Sequence, residues 1–136
     1  MFSNTVKVEW IVDEPRMVRL LEDVIFTDPR GVEWLAPKNS VVDGASIPEP
    51  LWSIVGSPYV GRYRRATVLH DVYCETRARP HELVHQMFYE AMIEDKVPVI
   101  KAEKMYLAVA LFGPKWDEEG NNLQFKKWDD DEYWYL

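Results

Sequence analysis

At Pro48 the chain changes its hydrophobic period, and this change constrains the fold more than any other feature of the sequence. Upstream, "VKVEWIV" (6–12), "MVRLLEDVIFTD" (17–28) and "VEWLA" (32–36) are rich in β-branched and aromatic residues, and "DPRG" (28–31) between the last two has turn composition. Downstream, "PEPLWSIVG", "GRYRRATVLHDVYCETR", "PHELVHQMFYEAMIED" and "VIKAEKMYLAVALFG" read as helices, the last ended by Gly113-Pro114. The expected class is α+β, a small N-terminal antiparallel sheet or meander followed by three to four helices. A chain of 136 residues has the length of one domain. Its expected extent is 1–116, with 117–136 as an acidic aromatic tail.

Composition excludes several function classes. No apolar run approaches the ~20 residues of a membrane span, and "MFSNTVKVEW" lacks the basic and apolar regions of a secretory signal, so a cytoplasmic origin is expected. Cys74 is the single cysteine, which excludes an internal disulfide and fits a reducing compartment. Of the formal net charge of −7, the last twenty residues carry −5, from seven acids and two lysines. Duplex nucleic acid is a poor partner for such a chain, since its one basic patch, Arg62, Arg64 and Arg65, is small.

Residues 81–85 spell H-E-x-x-H, the pattern by which a zinc-peptidase helix presents two histidines on one face. At about 100° per residue, Val84, Met87, Phe88 and Ala91 form the apolar stripe, His81 and His85 share one flank, and Glu82 points away. A glutamate in a first turn after Pro80 is favoured by the helix dipole whatever the function. The extended motif is absent, because Phe88 and Ala91 occupy the positions of its glycine and third histidine. Glu103 is the best remaining acidic ligand.

His70-Asp71 is the second constellation. On its helix Arg62, Ala66, Leu69 and Tyr73 track the core side, and Cys74 lies one turn beyond His70, so that both could face one metal. Asp71 could serve as ligand, base or orienter, or pair with Arg64 or Arg65 in a plain packing seam. The third is "VVDGASIPEPLW" (41–52). Asp43-Gly44 is a turn pair, and Ser46 and Glu49 have capping-box spacing around Pro48, which accounts for Ser46 locally but for Asp43 only in part. Trp10, Trp34, Trp52, Phe88 and Tyr106 occupy apolar positions expected in a core. Phe125, Trp128, Tyr133, Trp134 and Tyr135 alternate with acids, as in a segment that straps its own domain or docks to a partner.

"DGASIP", Trp52, "GSPYVGRYRRATVLHD", "FYEAM" and "MYLAVALFGPKW", in this order across residues 40–116, resemble a phage, prophage and bacterial domain-of-unknown-function family, number 1353. The resemblance carries no biochemical function and implies a gene setting, the late structural and lysis region of phage genomes. It also implies that H-E-x-x-H is particular to this chain, because similar sequences usually place aspartate at the position of His85. The cluster it leaves is Asp43, His70, Asp71 and His85.

Two readings follow from the residues and the resemblance together. In the first, the chain is a phage-encoded metal-dependent hydrolase of cell-wall or another host polymer. Asp43, His70 and His85 hold a divalent metal such as zinc, His70 and Asp71 supply acid–base or orienting groups, and Arg65 anchors an anionic substrate. In the second, it is a non-enzymatic virion or host-interaction protein, in the host cytoplasm or the virion, whose His/Asp cluster locks helices and whose tail docks to a virion or host protein.

Overall fold

Alternation of buried and exposed residues defines the strands of the computed structural model, which describes residues 1–3, 5–12, 17–44, 46–48 and 61–123. Strands β1 (Val8–Trp10), β2 (Val18–Leu20) and β5 (Val41–Val42) form one antiparallel sheet in the order β1-β2-β5. Strands β3 (Val24–Thr27) and β4 (Glu33–Ala36) form a second. Val18 and Leu20 point inward from β2, Val24 and Phe26 from β3, and Trp34 and Ala36 from β4, with Phe26 paired to Trp34 and Val18 to Val42.

The segment 17–28, read as one strand, is therefore two strands of different sheets. Continuing the period-2 pattern from Val18 and Leu20 to Val24 and Phe26 would turn Glu22 into the core, a charge without a partner there. The backbone bends at 21–23 instead, and Glu22 stays exposed, pairing with Lys7 at 3.1 Å. The 28–31 turn forms as its composition requires: Asp28 Oδ1 accepts the N–H groups of Arg30 (2.9 Å) and Val32 (3.0 Å), and Gly31 takes φ +85°.

Helices α1 (Arg64–Thr76), α2 (His81–Glu94) and α3 (Val99–Phe112) follow, the first entered through a 3₁₀ turn at Gly61–Tyr63. Pro80 and Pro98 stand just before α2 and α3, where their missing N–H leaves no helical bond unmade. His81 is the first residue of α2 and Pro80 its cap. Gly113 ends α3 for lack of space, since a Cβ there would lie 2.5 Å from the Val109 carbonyl oxygen. The expected short helix around "PEPLWSIVG", Trp52, and the aromatic residues 125–135 lie outside the described residues.

Helix α1 lies between α2 on one side and β4 and β5 on the other, so every residue from Ala66 to Cys74 is buried. Burying such a helix brings its polar residues into the core together with its apolar ones. Among the described elements helix α3 packs chiefly on α2, and buries only Ala102, Met105 and Val109. Trp34 and Phe88 are core residues as expected, whereas Trp10, on edge strand β1, is 59% exposed. Arg62 is exposed as well, because it precedes α1 in the 3₁₀ turn.

A buried histidine–cysteine cluster at the helix seam

Helices α1 and α2 cross so that His70 and His85 meet inside the protein, exposed by 0% and 2%. His70 Nε2 lies 2.8 Å from His85 Nδ1, and the His70 ring rests on Phe88 with centroids 4.6 Å apart. His85 Nε2 is 2.9 Å from the Pro114 carbonyl oxygen, brought there by the chain reversal at Gly113. His70 Nδ1 is 3.0 Å from Ser46 Oγ. Burial lowers the pKa of both rings, that of His85 to about 4 against the pull of the Pro114 carbonyl, and a neighbouring histidine lowers each further, His85 acting on His70 and His81 on His85.

Cys74, one turn after His70, completes a group of three buried donors, His70, Cys74 and His85, whose ligand atoms all lie within 4.8 Å of one another. Its Sγ is 3.8 Å from His70 Nδ1 and 3.7 Å from Nε2. Near equidistance puts the sulfur off the lone-pair axis of either nitrogen, and a thiol activated by imidazole needs hydrogen-bond reach along one axis, ~2.6–3.2 Å. Burial, and then Asp71, also push the thiol pKa up, so Cys74 is not arranged as a nucleophile. As metal ligands the spacings fit better. Around a tetrahedral zinc with bonds of ~2.0–2.3 Å, nitrogen donors lie ~3.3 Å apart and nitrogen–sulfur pairs ~3.6 Å. The 3.7 Å distance matches, the 2.8 Å distance needs the imidazoles to part by about half an ångström, and the remaining Cys74–His85 pair, within 4.8 Å, has to close by up to about 1 Å.

Asp71 faces the loop that carries Asp43, Gly44 and Ser46, not Arg64 or Arg65. Its Oδ2 accepts the N–H groups of Asp43 (3.0 Å) and Gly44 (3.2 Å), and its Oδ1 that of Ser46 (3.1 Å). Gly44 at φ +75° turns these N–H groups toward one carboxylate. Burial raises the Asp71 pKa against the pull of the loop N–H groups of Ser46 and Asp43. The D-G-A-S and H-D elements thus form one unit, with Asp71 holding the loop and the loop's Ser46 reaching His70. Ser46, accounted for from sequence as a helix cap, is 5% exposed and belongs to the cluster.

Asp43 is half-buried and lines a cleft of about 350 Å³ with Ser46, Asp71, Cys74 and Arg77. It is not among the donors within mutual reach of one ion. Arg65 lies five residues, about 7.5 Å along the axis, before His70. It pairs with Asp95 beyond the end of α2, and its guanidinium stands 4.2 Å over the Phe2 ring. The guanidinium that shares the cleft is that of Arg77, which also donates to the Gly120 carbonyl at 2.6 Å.

The H-E-x-x-H pattern does not assemble as a peptidase site. His85 Nε2 is taken by the Pro114 carbonyl and its Nδ1 faces His70 and not His81, His81 Nε2 is 2.6 Å from Glu82 Oε1, and the Glu82 side chain is 72% exposed. Glu103 is exposed on α3. A larger groove of about 590 Å³, between the Phe26–Pro29 turn and Tyr89, Glu90 and Ile93, has no histidine or cysteine in its wall.

A family model described as "Protein of unknown function (DUF1353)" matches residues 18–109, from β2 to the last turn of α3. The "Uncharacterized protein y4jT" of Sinorhizobium fredii (strain NBRC 101917 / NGR234) is 43% identical over 129 residues, covering 92% of this chain and 38% of that protein. The "Uncharacterized protein y4iH" of the same strain is 40% identical over 97 residues, 71% of this chain and 41% of that protein. The chain spans about two fifths of the length of these curated relatives. No solved structure matches it.

Proposed function

This chain belongs to the DUF1353 family, and from that premise we propose that it is a metal-dependent hydrolase domain whose metal is held by His70, Cys74 and His85. The observation that carries the reading is the set of three buried nitrogen and sulfur donors within 4.8 Å. Imidazole and thiolate donors suit zinc-class ions and not magnesium or calcium, which take oxygen ligands. Such an ion, when bound with three protein ligands, supplies an acidified water or a Lewis acid at its remaining position.

The chain's own residues do the rest. Asp71 fixes the loop that carries Asp43 and Ser46. Asp43, in the cleft that reaches Cys74, is the acid–base group, and Arg77 in the same cleft offers a cation to an anionic substrate, the role that the sequence reading gave Arg65. The substrate, a cell-wall or other host polymer, and action in the host cytoplasm or from a virion follow from the phage gene setting of the resemblance.

One observation favours a second reading, a non-enzymatic interaction protein. The contacts Ser46–His70–His85–Pro114 close without any metal and tie α1, α2 and two loops together. Metal analysis of untagged protein separates the two. Zinc near one per chain, lost in His85→Ala, together with chelator-sensitive hydrolysis of a peptidoglycan digest supports the hydrolase. No zinc after incubation with the ion sinks it and leaves the structural cluster.

A further inference from the structure

We infer that Ser46 and Asp71 are positioning residues for the metal ligand His70, acting through a hydrogen-bond chain that reverses direction when the metal enters. The inference rests on the reading of a metal at His70, Cys74 and His85, and it deepens that reading by naming what sets the affinity of the site.

The direction of the metal-free chain follows from donor and acceptor chemistry. The Pro114 carbonyl oxygen only accepts, so the His85 proton sits on Nε2. A neutral His85 then has a lone pair at Nδ1, and His70 must donate to it from Nε2. This leaves His70 Nδ1 as an acceptor, filled by the Ser46 hydroxyl proton. Asp71 meanwhile is supplied by the three backbone N–H groups of the 43–46 loop.

A metal takes the place of the proton between the two rings. His85 ligates through Nδ1 and keeps its Nε2–H on Pro114, so nothing changes on that side. His70 can ligate only through Nε2, which moves its proton to Nδ1. That proton now points at Ser46 Oγ, and the Ser46 hydroxyl turns to the Asp71 carboxylate, whose Oδ1 already accepts the Ser46 N–H at 3.1 Å. Protons balance: each imidazole keeps one, the hydroxyl keeps its own, and the Cys74 thiol proton passes to solvent as the sulfur ligates. The result is a carboxylate–serine–histidine–metal line, the kind of outer support that fixes the tautomer and raises the basicity of a ligand. It gives one chemical reason for Ser46 and Asp71 to stand beside His70.

The test uses the full-length protein, zinc and cobalt as probes, and ¹⁵N-labelled histidine, of which the chain has three. Two-bond nitrogen–proton correlations should show His70 protonated at Nε2 without metal and at Nδ1 with zinc. Ser46→Ala, which keeps the Ser46 N–H on Asp71, should weaken zinc and cobalt binding about 10- to 100-fold, and Ser46→Thr should restore most of it. Asp71→Asn should weaken binding in the same direction. Zinc bound by Ser46→Ala as tightly as by the parent protein, or His70 keeping its Nε2 proton in the zinc complex, overturns the inference while the metal reading stands. A parent protein that binds no zinc overturns both.

Discussion

Helices α1 and α3 differ in a way opposite to their composition. Helix α1 contains His70, Asp71, Thr67 and Cys74, yet is buried from Ala66 to Cys74. Helix α3 is the more apolar, yet leaves Ile100, Leu107, Leu111 and Phe112 55–74% exposed. Position in the topology decides this. Among the described elements α1 has close neighbours on two sides and α3 on one. The comparison teaches that the ionisable groups His70 and Asp71 of α1 are tolerated because the fold gives them partners, while the Thr67 hydroxyl is buried without one among the described residues. Asp71 has three N–H donors, and His70 has Ser46 and His85.

If packing on α1 holds the site, the largest effect should come from the α2 residue that supports it. Phe88 is fully buried against His70, and Phe88→Ala should destabilise the protein by about 3–5 kcal/mol, read as a lower denaturant midpoint. A loss under about 1 kcal/mol would show that the seam collapses around the gap and that α1 is not held by this contact.

Acid comes next. In the metal-free protein His85 has its pKa lowered from 6.5 to about 4, so between these values the unfolded chain binds more protons than the folded one. Stability should be level above pH ~6.5 and fall by roughly 3 kcal/mol as the pH drops to ~4, with His70 adding in the same direction. Equilibrium unfolding at a series of pH values checks this. His85→Gln should flatten part of the slope, and a profile unchanged by that substitution would mean that His85 does not carry it.

At the end of α3, Gly113→Ala should cost about 1–3 kcal/mol, because the new methyl meets backbone atoms of Val109 that cannot swing aside. The smallest effect belongs to the outer face of α3. Leu107→Glu should shift stability by no more than ~0.5 kcal/mol, the usual range for an exposed position. A thermal melt lowered by many degrees would mean that this face is covered in solution, and the contrast between the helices would then disappear.

The helices were legible because punctuation and period agreed. Pro80, Pro98 and Gly113 bound α2 and α3, and both lie within a residue of their expected limits. The bend at 21–23 was less legible, because Leu21, Glu22 and Asp23 interrupt a run whose flanks share strand character, although the inward parity of Glu22 was a usable signal. Part of the cluster could be read from spacing. His70 and Cys74 are one turn apart and face one way, as i and i+4 residues must. Ser46 could not be added that way, because its spacing to Glu49 offered a complete local explanation. Arg77 carried no signal beyond its place at the end of α1, where it takes the left-handed φ of +55° and lines the cleft while its guanidinium donates to Gly120.

By itself the sequence determined the sheet-then-helices order, the ends of α2 and α3, and the flank of α2 that carries both His81 and His85, since these depend on contacts within a few residues. Its spacing could not determine which of those two histidines would meet His70, and only the family resemblance pointed to His85. That depends on how α1 crosses α2. The crossing places His85 Nδ1 2.8 Å from His70 and leaves His81 against Glu82 at the rim. Partner choice between helices is set by packing across the seam, where Phe88 and the Gly113–Pro114 reversal fix the rings. Such contacts join residues distant in the chain, and no local spacing encodes them.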